Sequence, residues 1–160
     1  MALTYGTATS MTITAGSLAS AANRSSASVT TGTTNNIVEI LVEVSILTTT
    51  TAPTGNKQVV VYAYYSTDGT SYLGASGTTD NADGTDKALT AIGSPTNLRL
   101  LGTVQLNQGA NAVTFKGEFP LVAALGLGAP PPKWGIVLYN DAGTALGATV
   151  SAQYREIYYS

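Results

Sequence analysis

Histidine and cysteine are both absent from the 160 residues of this chain, and each absence removes a class of chemistry. Histidine is the most frequent general acid or base and the commonest metal ligand. Cysteine supplies thiolate nucleophiles, soft metal ligands and disulfides. Ser-His-Asp and Cys-His nucleophilic systems, structural zinc, iron–sulfur clusters and redox thiols are therefore excluded. What remains for an enzyme is carboxylate chemistry, a Ser-Lys pair or an oxygen-ligated Mg²⁺ or Ca²⁺ site. Without disulfides, folding is expected in a reducing cytoplasm or without oxidative help.

Charge is scarce as well. Charged residues make up 10% of the chain, while apolar residues make up 44%; soluble domains average about 25% charged. Seven basic and nine acidic side chains leave a net charge of −2. No Lys- and Arg-rich stripe exists, so no nucleic acid is expected as a partner. A surface of such low net charge opposes self-association only weakly, and a homo-oligomer is expected. The opening residues have no basic region followed by an apolar one, so no secretory signal peptide is expected. The longest apolar run, Ile37 to Leu47, is interrupted by Glu39, Glu43 and Ser45. It falls short of the roughly 20 residues of a membrane helix, so no membrane partner is expected.

What the chain has in quantity is alternation. In Ile37 to Leu47 the even positions are Val38, Ile40, Val42, Val44 and Ile46, which predicts a half-buried strand with that set inward. Gln58 to Ser66 is apolar on both faces and reads as a central strand covered from both sides. Leu98, Leu100, Val104 and Leu106 are assigned to one face of a strand, against Arg99, Thr103 and Gln105. Val113 to Phe119 repeats the pattern. These last two segments, joined by a link containing Asn107 and Gly109, are expected to pair as a hairpin. Trp134 to Tyr139 and Thr149 to Tyr159 complete the strands. Pro120 to Leu125, stopped by Gly126, predicts one or two helical turns, and Ala15 to Ala22 could form another short turn. The expected fold is all-β: an antiparallel β-sandwich of jelly-roll type with one or two very short helical turns.

Residues 1–35 are rich in Thr, Ser, Ala and Gly, with a possible short strand at Met11 to Thr14. They are expected to form a loosely ordered segment or an arm that orders on a neighbouring subunit. Residues 36–160 are assigned to the β-sandwich domain.

Few residues offer chemistry. Asp80, Asp83 and Asp86 lie in one acidic stretch and are candidate Ca²⁺ ligands, although their spacing does not match an EF-hand loop and such residues also favour turns. Glu39 and Glu43 share a strand face about 13 Å apart, too far for paired-carboxylate glycoside hydrolysis, and read as solvated charges. A Ser-Lys pair has no motif support. The nine tyrosines gather at Tyr62, Tyr64 and Tyr65 and at Tyr154, Tyr158 and Tyr159. They suit core packing first, a protein interface second and a sugar-stacking platform third. The stiff Pro130, Pro131, Pro132, Lys133 segment delivers the single Trp134 to its strand and offers a preorganised contact. Tyr62, Tyr64, Pro130, Pro131, Pro132 and Lys133 are thus the candidate partner contacts.

Several stretches carry a resemblance: Thr4–Tyr5–Gly6, Ser66 to Tyr72, Leu101 to Asn107, Phe115 to Leu121, Pro132 to Val137, and Asn140 to Leu146. Together they resemble a group of small structural proteins encoded among the head and tail genes of tailed bacteriophages. The resemblance covers most of the chain in order, and the N-terminal third carries least of it. It implies a virion component, a capsid cement (decoration) protein with a β-sandwich body. The partner would be the major capsid protein or another virion protein. The chain would be made in the host cytoplasm and found in the virion. The resemblance brings no catalytic residue and no cofactor. The expectation is a non-enzymatic structural protein that binds and stabilises the capsid exterior. A tail, neck or baseplate component is the alternative within that class, and a carbohydrate-binding module the alternative outside it.

Overall fold

A computed structural model describes residues 1–33, 36–74, 81–90, 97–107 and 111–160. In chain order the elements are β1 (Leu3–Tyr5), β2 (Thr9–Ser10), β3 (Asn23–Ser25), β4 (Val29–Thr30), β5 (Asn36–Thr48), β6 (Gln58–Ser66), β7 (Arg99–Gln105), β8 (Thr114–Pro120), α1 (Leu121–Leu125), β9 (Lys133–Asp141) and β10 (Leu146–Tyr159). One sheet runs β1-β10-β5-β8, with β2 extending β1 along β10. The other runs β3-β9-β6-β7, with β4 extending β3 along β9. All pairings are antiparallel. Counting β1 with β2 and β3 with β4 as single positions gives eight strands, four in each layer; the chain changes layer at every step except β6 to β7, which is the jelly-roll order.

The alternation in β5 sets the core. Ile40, Val42, Val44 and Ile46 are fully buried. They pack with Val59, Val61 and Ala63 of β6 and with Trp134, Ile136 and Leu138 of β9. Val38 departs from its predicted place and is 39% exposed. The register between β5 and β10 shifts beside it, between Ile157 and Tyr158, and a bulge of this kind breaks the inward set.

The other face of β6 is covered too, as its composition predicts. Tyr64 and Val137 pack with Ala82 and Leu89 in a second cluster, joined by Tyr62, Tyr72 and Leu98. The cover therefore comes from the described residues of the long β6–β7 connection.

Two expectations about β7 fail for separate reasons. It does not form a hairpin with β8: β7 pairs with β6 and β8 with β5, so the link between them crosses from one layer to the other. Local turn residues specify that a chain reverses, not which sheet receives it. Phe119 occupies the space at this crossing, where a Cβ on Gly102 or Gly117 would meet its ring. Nor do Leu98 and Leu100 share a face with Val104 and Leu106. A register shift sets Val61 opposite Gly102 but Tyr62 opposite Leu100. The extra residue, Leu101, takes the inward place, and Leu100 is 58% exposed.

The N-terminal segment is built into the same body. It supplies strands to both sheets, and Met11 and Ala15 are buried in the main core with Ile13 and Leu18 against it. The strand lies at Thr9–Ser10 and not at Met11 to Thr14, and residues 15–22 form turns without a helix. These residues were expected as a loose segment because their apolar content is thin. Main-chain bonds such as Met11 N–H to the Ala152 carbonyl and Ala27 N–H to the Thr12 carbonyl replace the missing apolar area.

The predicted helical turn is present as α1. Pro120 precedes it and Gly126 ends it in the left-handed region, at φ 67°.

Candidate interaction surface

The acidic stretch is occupied by its own chain. Asp83 accepts hydrogen bonds from Lys87 Nζ (2.6 Å) and from the N–H and hydroxyl of Thr85. Asp86 accepts from Arg24 Nε and from the Thr14 hydroxyl, both at 2.5 Å. At Asp83 burial disfavours the ionised form, but the bonds from Lys87 and Thr85 outweigh it and hold the carboxyl below the usual range. At Asp86 burial acts the same way and is overcome by Arg24 and Thr14. Each carboxylate thus serves as a structural acceptor. Asp80 lies outside the described residues. Among the described residues no group of three or more acidic side chains could hold a metal ion.

Glu39 is not a freely solvated charge. Its carboxylate accepts the backbone N–H groups of Val122 (2.6 Å) and Ala123 (3.0 Å). Pro120 has no side-chain cap bond to offer, so Glu39 satisfies the orphan donors of the first turn. Glu43 accepts from Lys116 Nζ and Gln153 Nε2, each at 3.0 Å, which ties β8, β5 and β10 together across the outer face.

Two shallow grooves flank β10. One, of about 180 Å³, is lined by Ser10, Glu43, Ser45, Lys116, Ser151, Ala152 and Gln153. The other, of about 260 Å³, is lined by Gly6, Thr7, Thr9, Tyr154, Glu156 and Tyr158. Each has a single carboxylate, so neither holds the pair that glycoside hydrolysis requires.

The candidate contact residues divide by burial. Tyr64 is fully buried, and its hydroxyl donates to the Ser26 carbonyl at 2.7 Å. Burial pushes its phenol well above the ordinary value, against the lowering effect of that bond. Tyr64 is therefore a core residue and not an accessible contact, because its ring lies over Gly135, where no side chain intervenes. Pro131 is buried as well, and its carbonyl accepts the Thr31 hydroxyl at 2.5 Å. Tyr62, Pro130 and Lys133 are half-buried, and Pro132 is exposed. Lys133 pairs with Ser66 and Tyr62 with Val137, so Tyr62 and the proline segment lie about 13 Å apart along β6. The structure does not bring the six together.

Three exposed apolar side chains that sequence reasoning missed lie at the β1 end of the first sheet. Leu3 is 51% exposed, Tyr5 59% and Tyr159 44%, with Val38 nearby at the β5 bulge. Leu3 stands opposite Tyr159 and Tyr5 opposite Ile157, which sets Leu3, Tyr5, Ile157 and Tyr159 on one face of the sheet. The available signal was the absence of charge: the first charged side chain in the chain is Arg24.

No protein-family model matches this chain, and no curated protein matches it in sequence.

Proposed function

We propose that this chain is a non-catalytic structural protein of a tailed-bacteriophage virion, binding and stabilising the capsid exterior as a cement protein. The observation that carries the structural part of this reading is the set of exposed apolar side chains Leu3, Tyr5 and Tyr159 on one sheet face of a body with few charges. Exposed apolar side chains grouped in this way are suited to cover by other polypeptide. The carboxylates of the described acidic stretch and the Glu39 carboxylate are committed to bonds within the chain, which agrees with a mechanical role. The phage assignment rests on the sequence resemblance. Each copy would add interface across neighbouring shell subunits, and even about 1,000 Å² per copy counts when many copies act together.

Cryo-electron microscopy of the parent particle tests this reading. The expected result is jelly-roll density at regular positions on the outer shell. Density on the tail, neck or baseplate would support the alternative structural location. Purified particles lacking the chain altogether would overturn both.

The groove between β2 and β10 favours a second reading. Tyr154, Tyr158, Glu156 and Thr9 line it, and aromatic rings beside polar groups suit a neutral sugar. A glycan array decides the matter: binding lost in Tyr158→Ala would support it, and an array without signal would remove it.

A further inference from the structure

Among the described residues the two sheets end on four outer strand positions, and three are guarded. β8 carries Lys116, Glu118 and Pro120, β7 carries Arg99, and the β3–β4 edge carries Arg24 and is bridged at Ser25 by Lys87. Charge and proline at an edge hinder pairing with another chain. The β1–β2 edge has neither, since residues 1–23 contain no charged side chain and no proline.

The main-chain bonds show what this edge offers. Ala2 and Ser160 exchange both N–H···O bonds at 3.0 Å, and Gly6 N–H donates to the Glu156 carbonyl at 2.8 Å. Antiparallel pairs alternate between bonded and non-bonded positions. Ala2, Thr4 and Gly6 therefore turn their main-chain groups toward β10, and Leu3 and Tyr5 turn theirs to the open side.

We propose that β1 is a dimerisation strand, on which a second copy of this chain pairs antiparallel about a two-fold axis through Thr4. Leu3 of one copy then stands opposite Tyr5 of the other. The outward N–H of each donates to the outward carbonyl of its counterpart, and symmetry repeats the exchange. The side chains match as well, because an aliphatic residue faces an aromatic one across each pair. No like charges meet, since the strand carries none. A flat apolar surface for lipid or a small ligand would leave these main-chain groups unpaired, whereas a copy of the same strand satisfies them in register. The contact is isologous and closes at two subunits, joining two four-position sheets into one. The inference rests on the reading of this chain as a structural, self-associating protein and gives that association a location.

Sedimentation equilibrium of the full chain between about 1 and 100 µM tests it. Tyr5→Pro removes an outward N–H and leaves the Thr4 and Gly6 positions facing β10; proline is tolerated on an edge. Tyr5→Lys puts a charge on the strand, and Leu100→Lys places the same charge on a different exposed apolar site. The expected result is a dimeric parent and a dimeric Leu100→Lys. Both Tyr5 variants should associate at least about tenfold more weakly, with unchanged circular dichroism. Should Tyr5→Pro fail to fold, Tyr5→Lys carries the test. A parent that stays monomeric throughout, or Tyr5 variants that dimerise as the parent does, would overturn the proposal. Particle location is measured separately, so failure of either reading is distinguishable from failure of the other.

Discussion

Arg24 grips Asp86 at two points: its Nε donates to Oδ1 at 2.5 Å, and its second arm donates to the Asp86 carbonyl at 3.0 Å. The pair links the N-terminal segment to the long connection between β6 and β7, two regions with little apolar area of their own. Neighbouring bonds reinforce the link, with the Ser25 hydroxyl donating to the Thr85 carbonyl at 2.7 Å.

This pairing predicts acid sensitivity. The carboxyls of Asp83 and Asp86 are held below their usual range in the folded chain. Their contribution is complete above the unfolded value, about 3.9, and is lost as pH falls through the lower folded values. Calorimetric midpoints should therefore drop below about pH 4. Asp86→Asn should flatten that acid limb and cost about 1–3 kcal/mol near neutrality, because Arg24 loses its charged partner.

Tyr64 makes the opposite prediction at alkaline pH. Its phenol is raised in the folded chain, so the native state holds the proton that the unfolded state releases above about pH 10. Stability should decline as pH rises past that point. In an ultraviolet titration the Tyr64 phenol should resist ionisation until the chain unfolds. Tyr64→Phe should reduce this effect and cost about 1–2 kcal/mol by leaving the Ser26 carbonyl unpaired.

The bonds made by Glu39 and by Glu43 with Lys116 should differ in worth, although both carboxylates sit on the outer side of β5. Glu39→Ala leaves the Val122 and Ala123 N–H groups without their acceptor and should cost about 1–2 kcal/mol. Lys116→Ala breaks an exposed pair with Glu43 and should cost less than about 1 kcal/mol. Urea midpoints of the two variants give the comparison directly; equal losses would contradict the capping role.

Trp134 is a single buried reporter. It is fully enclosed, meets Tyr154 edge-on at 5.3 Å between ring centroids, and its Nε1 has no hydrogen-bond partner. Its emission should be blue-shifted and shielded from acrylamide in the native state, and should move red in one step on unfolding. Trp134→Ala should cost about 3–5 kcal/mol through the cavity it leaves. Trp134→Phe should cost much less, because it also removes the unpaired N–H.

The strand content was legible because burial imposes a period on the side chains themselves. Ile40, Val42, Val44 and Ile46 point inward as their spacing requires, and the two apolar faces of Gln58 to Ser66 are both covered. Pairing was less legible. Nothing local to Asn107 tells β8 to cross to β5, and a single inserted residue, Leu101, reverses the faces on which Leu98 and Leu100 were placed. The contact surface was least legible of all. Tyr64 has the composition of an interface residue, and only the bare backbone of Gly135 below it makes it a core one. Leu3 and Tyr5 looked like part of a loose end until β10 gave them a face.

The mutual bonds of Ala2 and Ser160 make the fold nearly a ring. A short peptide joining them should be tolerated, with new ends cut at Gly126 or Gly128, where even an added methyl would touch nothing. A purification tag placed before Ala2 or after Ser160, by contrast, would emerge beside Leu3 and Tyr159. Such a tag would mask the β1 edge, so labels belong on the far side of the sandwich, after α1.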